Sequence, residues 1–351
     1  MVKQAVMTKE IEQKTEKSID TIQDDSEKID HLDNLEIFKQ LFDSLDTEGL
    51  GYITKLQLTN RLVRNGILKT DSRVQKTMRN LDKYSDSEKI SLTMFKTVIH
   101  ENLTIIEKTL KGNLILPNFD YFVEEIENIY LNTIENRSGN VASYIPQLKR
   151  VDPEQYAISV CTVDGQRFNI GNSEIPYCVQ STCKPINYCL ALENNGEETV
   201  HKHVGREPSG RGFNELSLNN DALPHNPMIN SGAIMSCSLI KNNLNISDRF
   251  DYVMKKWKEL SGDSHPGFNN AVYLSEKQTA DRNFALGYMM KEKESFPENT
   301  NLIETLDFYF QCCSIELTSG LQSIVAATLA NAGICPTTGK RVLKPGTVKD
   351  C

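Results

Sequence analysis

Apolar residues recur at helical spacing from Leu32 to about Gly139: Leu35, Phe38, Leu41 and Phe42, then Leu56, Leu62 and Val63, then Val98 and Ile99. That rhythm predicts a helical domain over 32–139. Ahead of it, residues 1–31 are mostly lysine, acid, glutamine and threonine, too few large apolar groups to offset the entropy of ordering, so a flexible acidic tail is expected. The run ENRSGN at 135–140 reads as a turn or linker, and a second domain is predicted over 140–351. In AISVCTVDGQRFNIG two β-branched runs flank Asp164-Gly165, predicting a hairpin closed by a two-residue turn with positive φ at both positions. SGAIMSCSLI, FDYVMKKWKEL, NFALGYMMKEK, IETLDFYFQCCS and LQSIVAATLANAG each carry an apolar helical stripe. Strands followed by many helices predict an α+β domain, a sheet with helices around it.

Within the helical domain, LFDSLDTEGLGYITKLQL and MRNLDKYSDSEKISLTMF have the outline of EF-hands. With Asp46 at loop position one, Gly51 and Ile53 fall where the turn glycine and the packing residue belong. Leu50 then occupies a ligand position and Gln57 replaces the bidentate glutamate. In the second loop Lys83 stands at position one and Met94 at position twelve. The expectation is an EF-hand-like domain without calcium ligands.

Composition narrows the function classes. With 39 Lys plus Arg against 47 Asp plus Glu, the net charge of -8 disfavours a nucleic-acid partner. No apolar run approaches the roughly 18 residues that cross a bilayer, so no membrane partner is expected. The nine cysteines all follow residue 160 at irregular spacing, which predicts mostly buried thiols and no metal site. His201-Lys202-His203 is poorly spaced for a metal and reads as a solvated face; GICPTTGKR lacks the spacing and the hydroxyl of a phosphate loop.

The candidate chemistry lies in QSTCKPINYCLAL. Ser181 and Lys184 stand one helical turn apart at a helix start, which puts hydroxyl and amine on one face. A partly desolvated amine accepts a serine proton, and a helix N-terminus offers N–H groups to an oxyanion. Ser238 and Lys241 repeat the spacing inside an apolar stretch and read as structural. The asparagines of LSLNNDALPHNPMINSGAI, ending with Asn230, can bind amides or carboxylates, or simply form turns and caps. Glu276 and Asn283, in SEKQTADRNFALGY, can likewise be surface groups of a helix start.

Taken in order, YIPQL, AISVCTVDGQRFNIG, QSTCKP, VGREPSGRGFNE, PHNPMINSGAI, DRNFALGY, LDFYFQCCS and ATLANAGICP resemble an animal glutaminase of the kidney type. The resemblance implies a β-lactamase/penicillin-binding-protein-like glutaminase domain behind the EF-hand-like one. It implies hydrolysis of L-glutamine to L-glutamate and ammonia through a glutamyl-enzyme, with no cofactor and with phosphate as activator. Ser181 would be nucleophile and Lys184 its base; Tyr144, Asn230, Glu276, Asn283 and Tyr309 would join Ser181 in holding substrate. Glu276 would face the α-ammonium and the asparagines the α-carboxylate. Dimers and tetramers of like subunits are implied, through a loop at GRGFNELSLNN, where Ser217 and Met289 replace aromatic residues of the family. So is a mitochondrial address, although the acid-rich start has no readable presequence and a cytoplasmic location is the alternative. The chain stops at Cys351, before the family's second catalytic tyrosine and half of its oxyanion hole. A domain incomplete at its C-terminus is therefore expected, with a catalytically silent short form, acting as binding or regulatory subunit of full-length glutaminase, as the alternative function. A β-lactamase proper is disfavoured, since no K-T-G occurs.

Overall fold

The computed structural model describes residues 35–351; the tail expected over 1–31 lies outside the described residues. The described chain forms two compact units that divide between Pro117 and Asn118.

In the first unit a helix over 35–43 (α1) is followed by β1 (Tyr52–Ile53), α2 (Lys55–Arg64), α3 (Gln75–Leu81), β2 (Ile90–Ser91), α4 (Leu92–Ile99) and α5 (Leu103–Leu110). β1 and β2 join the two loops as a short antiparallel ladder, Ile53 opposite Ile90. Both isoleucines are fully buried, and Phe42 meets Phe95 edge to face at 5.6 Å. The first loop is closed by its own side chains. The Asp46 carboxylate accepts from the N–H of Leu50 at 2.8 Å and of Gly51 at 2.7 Å. Gln57 forms a reciprocal capping box with Thr54 that starts α2. Side chains at the two metal-ligand ends of this loop therefore satisfy backbone amides.

The second unit opens with α6 (Phe119–Thr133). Tyr130 of α6 stacks on Tyr156 at 5.4 Å, and the Thr133 and Tyr156 hydroxyls lie 2.9 Å apart. The turn at 135–140 thus lies inside this unit. Sequence places a linker there, but the aromatic stack that ties α6 across it is non-local.

β3 (Ala157–Cys161) and β4 (Arg167–Gly171) form the expected hairpin, Cys161 opposite Arg167. Its turn differs from the expectation. Only Gly165 has positive φ, at 82°, with Gly165 N–H bonded to Thr162 O and Thr162 N–H to Gln166 O. Glycine takes the left-handed position and Asp164 keeps an ordinary one, so a longer bulged turn replaces the two-residue one. A three-stranded sheet combines β5 (Tyr177–Cys178), β6 (Gly267–Phe268) and, between them, β7 (Ile315–Leu317). Where one sheet is expected for this second unit, two small ones are found among its described residues.

The helices are α7 (Cys183–Asn195), α8 (Glu197–Val200), α9 (Asn230–Leu239), α10 (Ile246–Leu260), α11 (Asn270–Gln278), α12 (Asp281–Glu292), α13 (Leu302–Cys313), α14 (Ser319–Ala330) and α15 (Pro345–Asp350). α9 is the axis of the core: every residue from Ser231 to Leu239 is buried, and α7, α12 and α13 pack around it. Its small residues permit that crowding. A Cβ on Gly232 would stand 1.9 Å from the Asn226 carbonyl oxygen, so only glycine lets the incoming segment pass so close. Buried Arg249 of α10 ends the helix, donating Nη2 to Cys237 O at 2.6 Å and Nε to Ile240 O at 3.0 Å. Its guanidinium lies over the Phe308 ring at 4.3 Å.

Candidate active site

β5 delivers the chain to Val179, whose N–H is fixed to Ile315 O at 2.8 Å. Gln180 then turns with φ 46°, a left-handed conformation that costs a non-glycine residue roughly 1 kcal/mol. A 3-10 turn over Gln180–Thr182 runs into α7. This sharp entry leaves Ser181 exposed and places Lys184, one turn on, only 4% exposed. The Gln180 Oε1 accepts from the Tyr144 hydroxyl at 2.9 Å, while its buried Nε2 has no hydrogen-bond partner.

Lys184 donates Nζ to Asn230 Oδ1 at 2.8 Å, and Asn230 donates Nδ2 to Asn283 Oδ1 at 3.1 Å. Three elements, α7, α9 and α12, thereby meet through one polar chain. Phe213 closes over it, with its carbonyl accepting from the Asn230 N–H at 2.8 Å and its ring 5.6 Å from Lys184 Nζ. Burial pushes the Lys184 pKa below the ordinary lysine value, because the ammonium loses hydration that nearby acidic groups only partly replace.

Glu276 of α11 is also buried. Burial raises its pKa, against the opposing pull of Gln180 and Lys184, and its Oε2 has no hydrogen-bond partner. An orphan carboxylate oxygen facing a hollow is suited to a cationic ligand group. Burial, chiefly, likewise raises the Tyr144 and Tyr309 phenols, keeping both protonated as donors.

Tyr144, Ser181, Asn230, Glu276, Asn283 and Tyr309 line one cavity of about 250 Å³. Lys184 reaches it through Asn230. Every nominated residue is thus brought together from segments spread over 166 positions of chain, 144 to 309 inclusive. Sequence reasoning passed over Gln180, Phe213 and Cys313, which line the same cavity. Gln180 was within reach, as the neighbour of Ser181 in QSTCKP; Phe213 and Cys313 carry no local signal. A larger hollow, about 780 Å³, lies in the first unit beside Phe38, Lys96 and His100.

The other sequence candidates have structural tasks. Ser238 bonds the Met235 carbonyl at 2.7 Å, and Lys241 lies over the Tyr252 ring at 5.3 Å, so this second Ser/Lys pair is split. His201 is held by the Tyr188 hydroxyl and Val204 O, His203 by Ser295 O; both are half-buried where a solvated face was expected. GICPTTGKR is a bridged turn, Ile334 opposite Arg341, whose Lys340 pairs with Asp263 at 2.7 Å. Among the described residues no three His, Cys, Asp or Glu side chains are placed to hold a metal ion. Six of the nine cysteines are buried.

The chain thus carries a helical unit of paired loops, followed in sequence by an α+β unit whose cavity is lined by Ser181 and by side chains of several helices. Residues 37–117 match the EF-hand domain family and residues 139–351 the Glutaminase family. The chain belongs to the glutaminase family, with the β-lactamase-like glutaminase fold behind an EF-hand domain. It is 39% identical over 307 residues to the mitochondrial liver isoform of glutaminase from Mus musculus, covering 86% of this chain and 51% of that protein. A glutaminase of Clostridium botulinum (strain 657 / Type Ba4) is 37% identical over 226 residues, 62% of this chain and 73% of the relative. The crystal structure of Mglu in its tris and glutamate form superposes with a TM-score of 0.61 at 29% identity, over 65% of this chain and 50% of that one. The chain spans about half the length of the mammalian relative it matches.

Proposed function

We propose that the protein hydrolyses L-glutamine to L-glutamate and ammonia, with Ser181 as nucleophile and Lys184 as general base. The observation that carries this reading is the buried Lys184 amine, held to Asn230 one turn from the exposed Ser181 at the cavity floor. Family membership and the glutamate form of Mglu support the substrate class.

Glu276 supplies the orphan carboxylate for the α-ammonium, and the Asn230 and Asn283 amides face the α-carboxylate. The γ-carbonyl is then left for Ser181. Its hydroxyl attacks while the proton passes to Lys184, which desolvation keeps prone to the neutral form. The tetrahedral oxyanion collapses, the C–N bond breaks, and the proton leaves with ammonia. Water repeats the attack on the glutamyl ester and returns the proton to Ser181. Assembly into dimers and tetramers, activation by phosphate and a mitochondrial address belong to the same proposal; the last rests on the name of the mouse relative.

The test is ammonia and glutamate release from L-glutamine by the purified chain, with and without phosphate, beside Ser181→Ala. Turnover lost in the alanine variant with circular dichroism unchanged is expected. Equal turnover in both proteins would overturn the nucleophile, and no turnover in either would overturn the activity of this chain.

A further inference from the structure

Beneath the pocket lies a thiol pair that the proposed hydrolysis does not use. Cys183, first residue of α7, and Cys313, last residue of α13, approach with Sγ atoms 3.9 Å apart. Both are buried, and Cys313 also forms part of the cavity wall beside Ser181 and Glu276. Cys183 lies between Ser181 and Lys184 in the chain, and Cys313 is one turn after Tyr309 on α13. The pair therefore bridges the two elements that carry the nucleophile and base on one side and a pocket tyrosine on the other.

We propose that Cys183 and Cys313 are a modification site, closed to a disulfide by hydrogen peroxide that enters through the cavity lined by Ser181 and Glu276. Peroxide oxygen transfers to the Cys313 sulfur, giving a sulfenic acid and one water. The Cys183 sulfur attacks the sulfenic sulfur, forming the S–S bond and releasing a second water. Two thiols and one peroxide thus yield one disulfide and two waters. The hydrogen bond with Cys183, followed by burial, holds the Cys313 thiol protonated, so the first step is slow. Bringing the sulfurs from 3.9 Å to about 2.05 Å draws α7 and α13 together. Displacing a reacting group by about 1 Å can cost about a hundredfold in rate. Glutamine or glutamate in the cavity shields Cys313.

The experiment treats the purified chain with hydrogen peroxide, with and without excess L-glutamate, followed by intact-mass and non-reduced peptide analysis. The expected product is lighter by two hydrogens, links the peptides of Cys183 and Cys313, is restored by dithiothreitol and is suppressed by glutamate. Cys183→Ala should lose that link and gain oxygen on Cys313 instead. A link of Cys312 to Cys237 or to Cys313, two oxygens added to Cys313 in the wild-type chain, or no mass change would overturn the site. Equal oxidation with glutamate present would overturn the cavity route. The locking effect rests on the proposed hydrolysis and is read separately: turnover should fall about a hundredfold on oxidation and return on reduction. The mass readout stands even if no turnover is found.

Discussion

Lys184 donates a hydrogen bond, 2.8 Å long, to the Oδ1 of Asn230, a residue 46 positions further along the chain. A neutral amide partner holds the amine in place without stabilising its charge as a carboxylate would. Desolvation therefore dominates, and the lysine pKa is displaced downward.

The pH profile of kcat/KM should accordingly show a rising limb below the ordinary lysine value of about 10.4, as Lys184 loses its proton. In Asn230→Asp the new carboxylate favours the ammonium, so the limb should move to higher pH. A limb that stays put in this variant, measured in a buffer series at constant ionic strength, would remove Lys184 as the base.

Glu276 has the opposite displacement, upward, because burial penalises its charge. Stability from its protonated form is fully present below the ordinary carboxylate pKa and is lost as pH rises through the raised value. Glu276→Gln removes that loss, so at neutral pH the variant should melt no lower than wild type, with the advantage vanishing in acid. Its KM for glutamine should rise about tenfold to a hundredfold, since a hydrogen bond to a charged group contributes about 1.5–3 kcal/mol. A lower Tm with unchanged KM would contradict the ammonium contact.

Gly232→Ala should lower stability by about 1–3 kcal/mol or more, because the added methyl meets the Asn226 backbone oxygen at 1.9 Å. It should also lower turnover, as Asn230 lies two residues earlier on α9. Gly287→Ala is the control: its Cβ would meet side-chain ends and no backbone, Leu302 Cδ1 at 2.7 Å and Leu306 Cδ1 at 3.5 Å, and a smaller loss in denaturant midpoint is expected. Equal losses would show that the α9 approach is not the constraint.

Calcium should leave the EF-hand domain unchanged, since Asp46 and Gln57 are engaged with backbone amides of the loop and of the α2 start. Thermal melts in millimolar calcium and in chelator should coincide. Asp46→Ala, which frees the Leu50 and Gly51 N–H groups, should lower Tm in both conditions alike.

Much of this was legible in residue order. The helices over 230–239, 246–260, 281–292, 302–313 and 319–330 lie where apolar stripes place them, because helical periodicity is a local property. The hairpin at 157–171 was legible too, but not its turn, since Gly165 takes the left-handed position and Asp164 does not. The turn at 135–140 punctuates the sequence, whereas the compact units divide between Pro117 and Asn118. α6 ahead of it is held by the Tyr130–Tyr156 stack, a contact across 26 positions that no local window contains.

For the site, the sequence by itself determined which groups are present and that Ser181 and Lys184 stand three residues apart at the start of a helix. Only the tertiary structure decided that Lys184 is buried while Lys241, in the same pattern, covers a tyrosine ring. It also decided that Asn230 reaches Asn283 across 53 positions and that Cys183 meets Cys313 across 130. Desolvation, orphaned oxygens and thiol proximity depend on what neighbouring elements exclude or supply, and packing alone sets those neighbours.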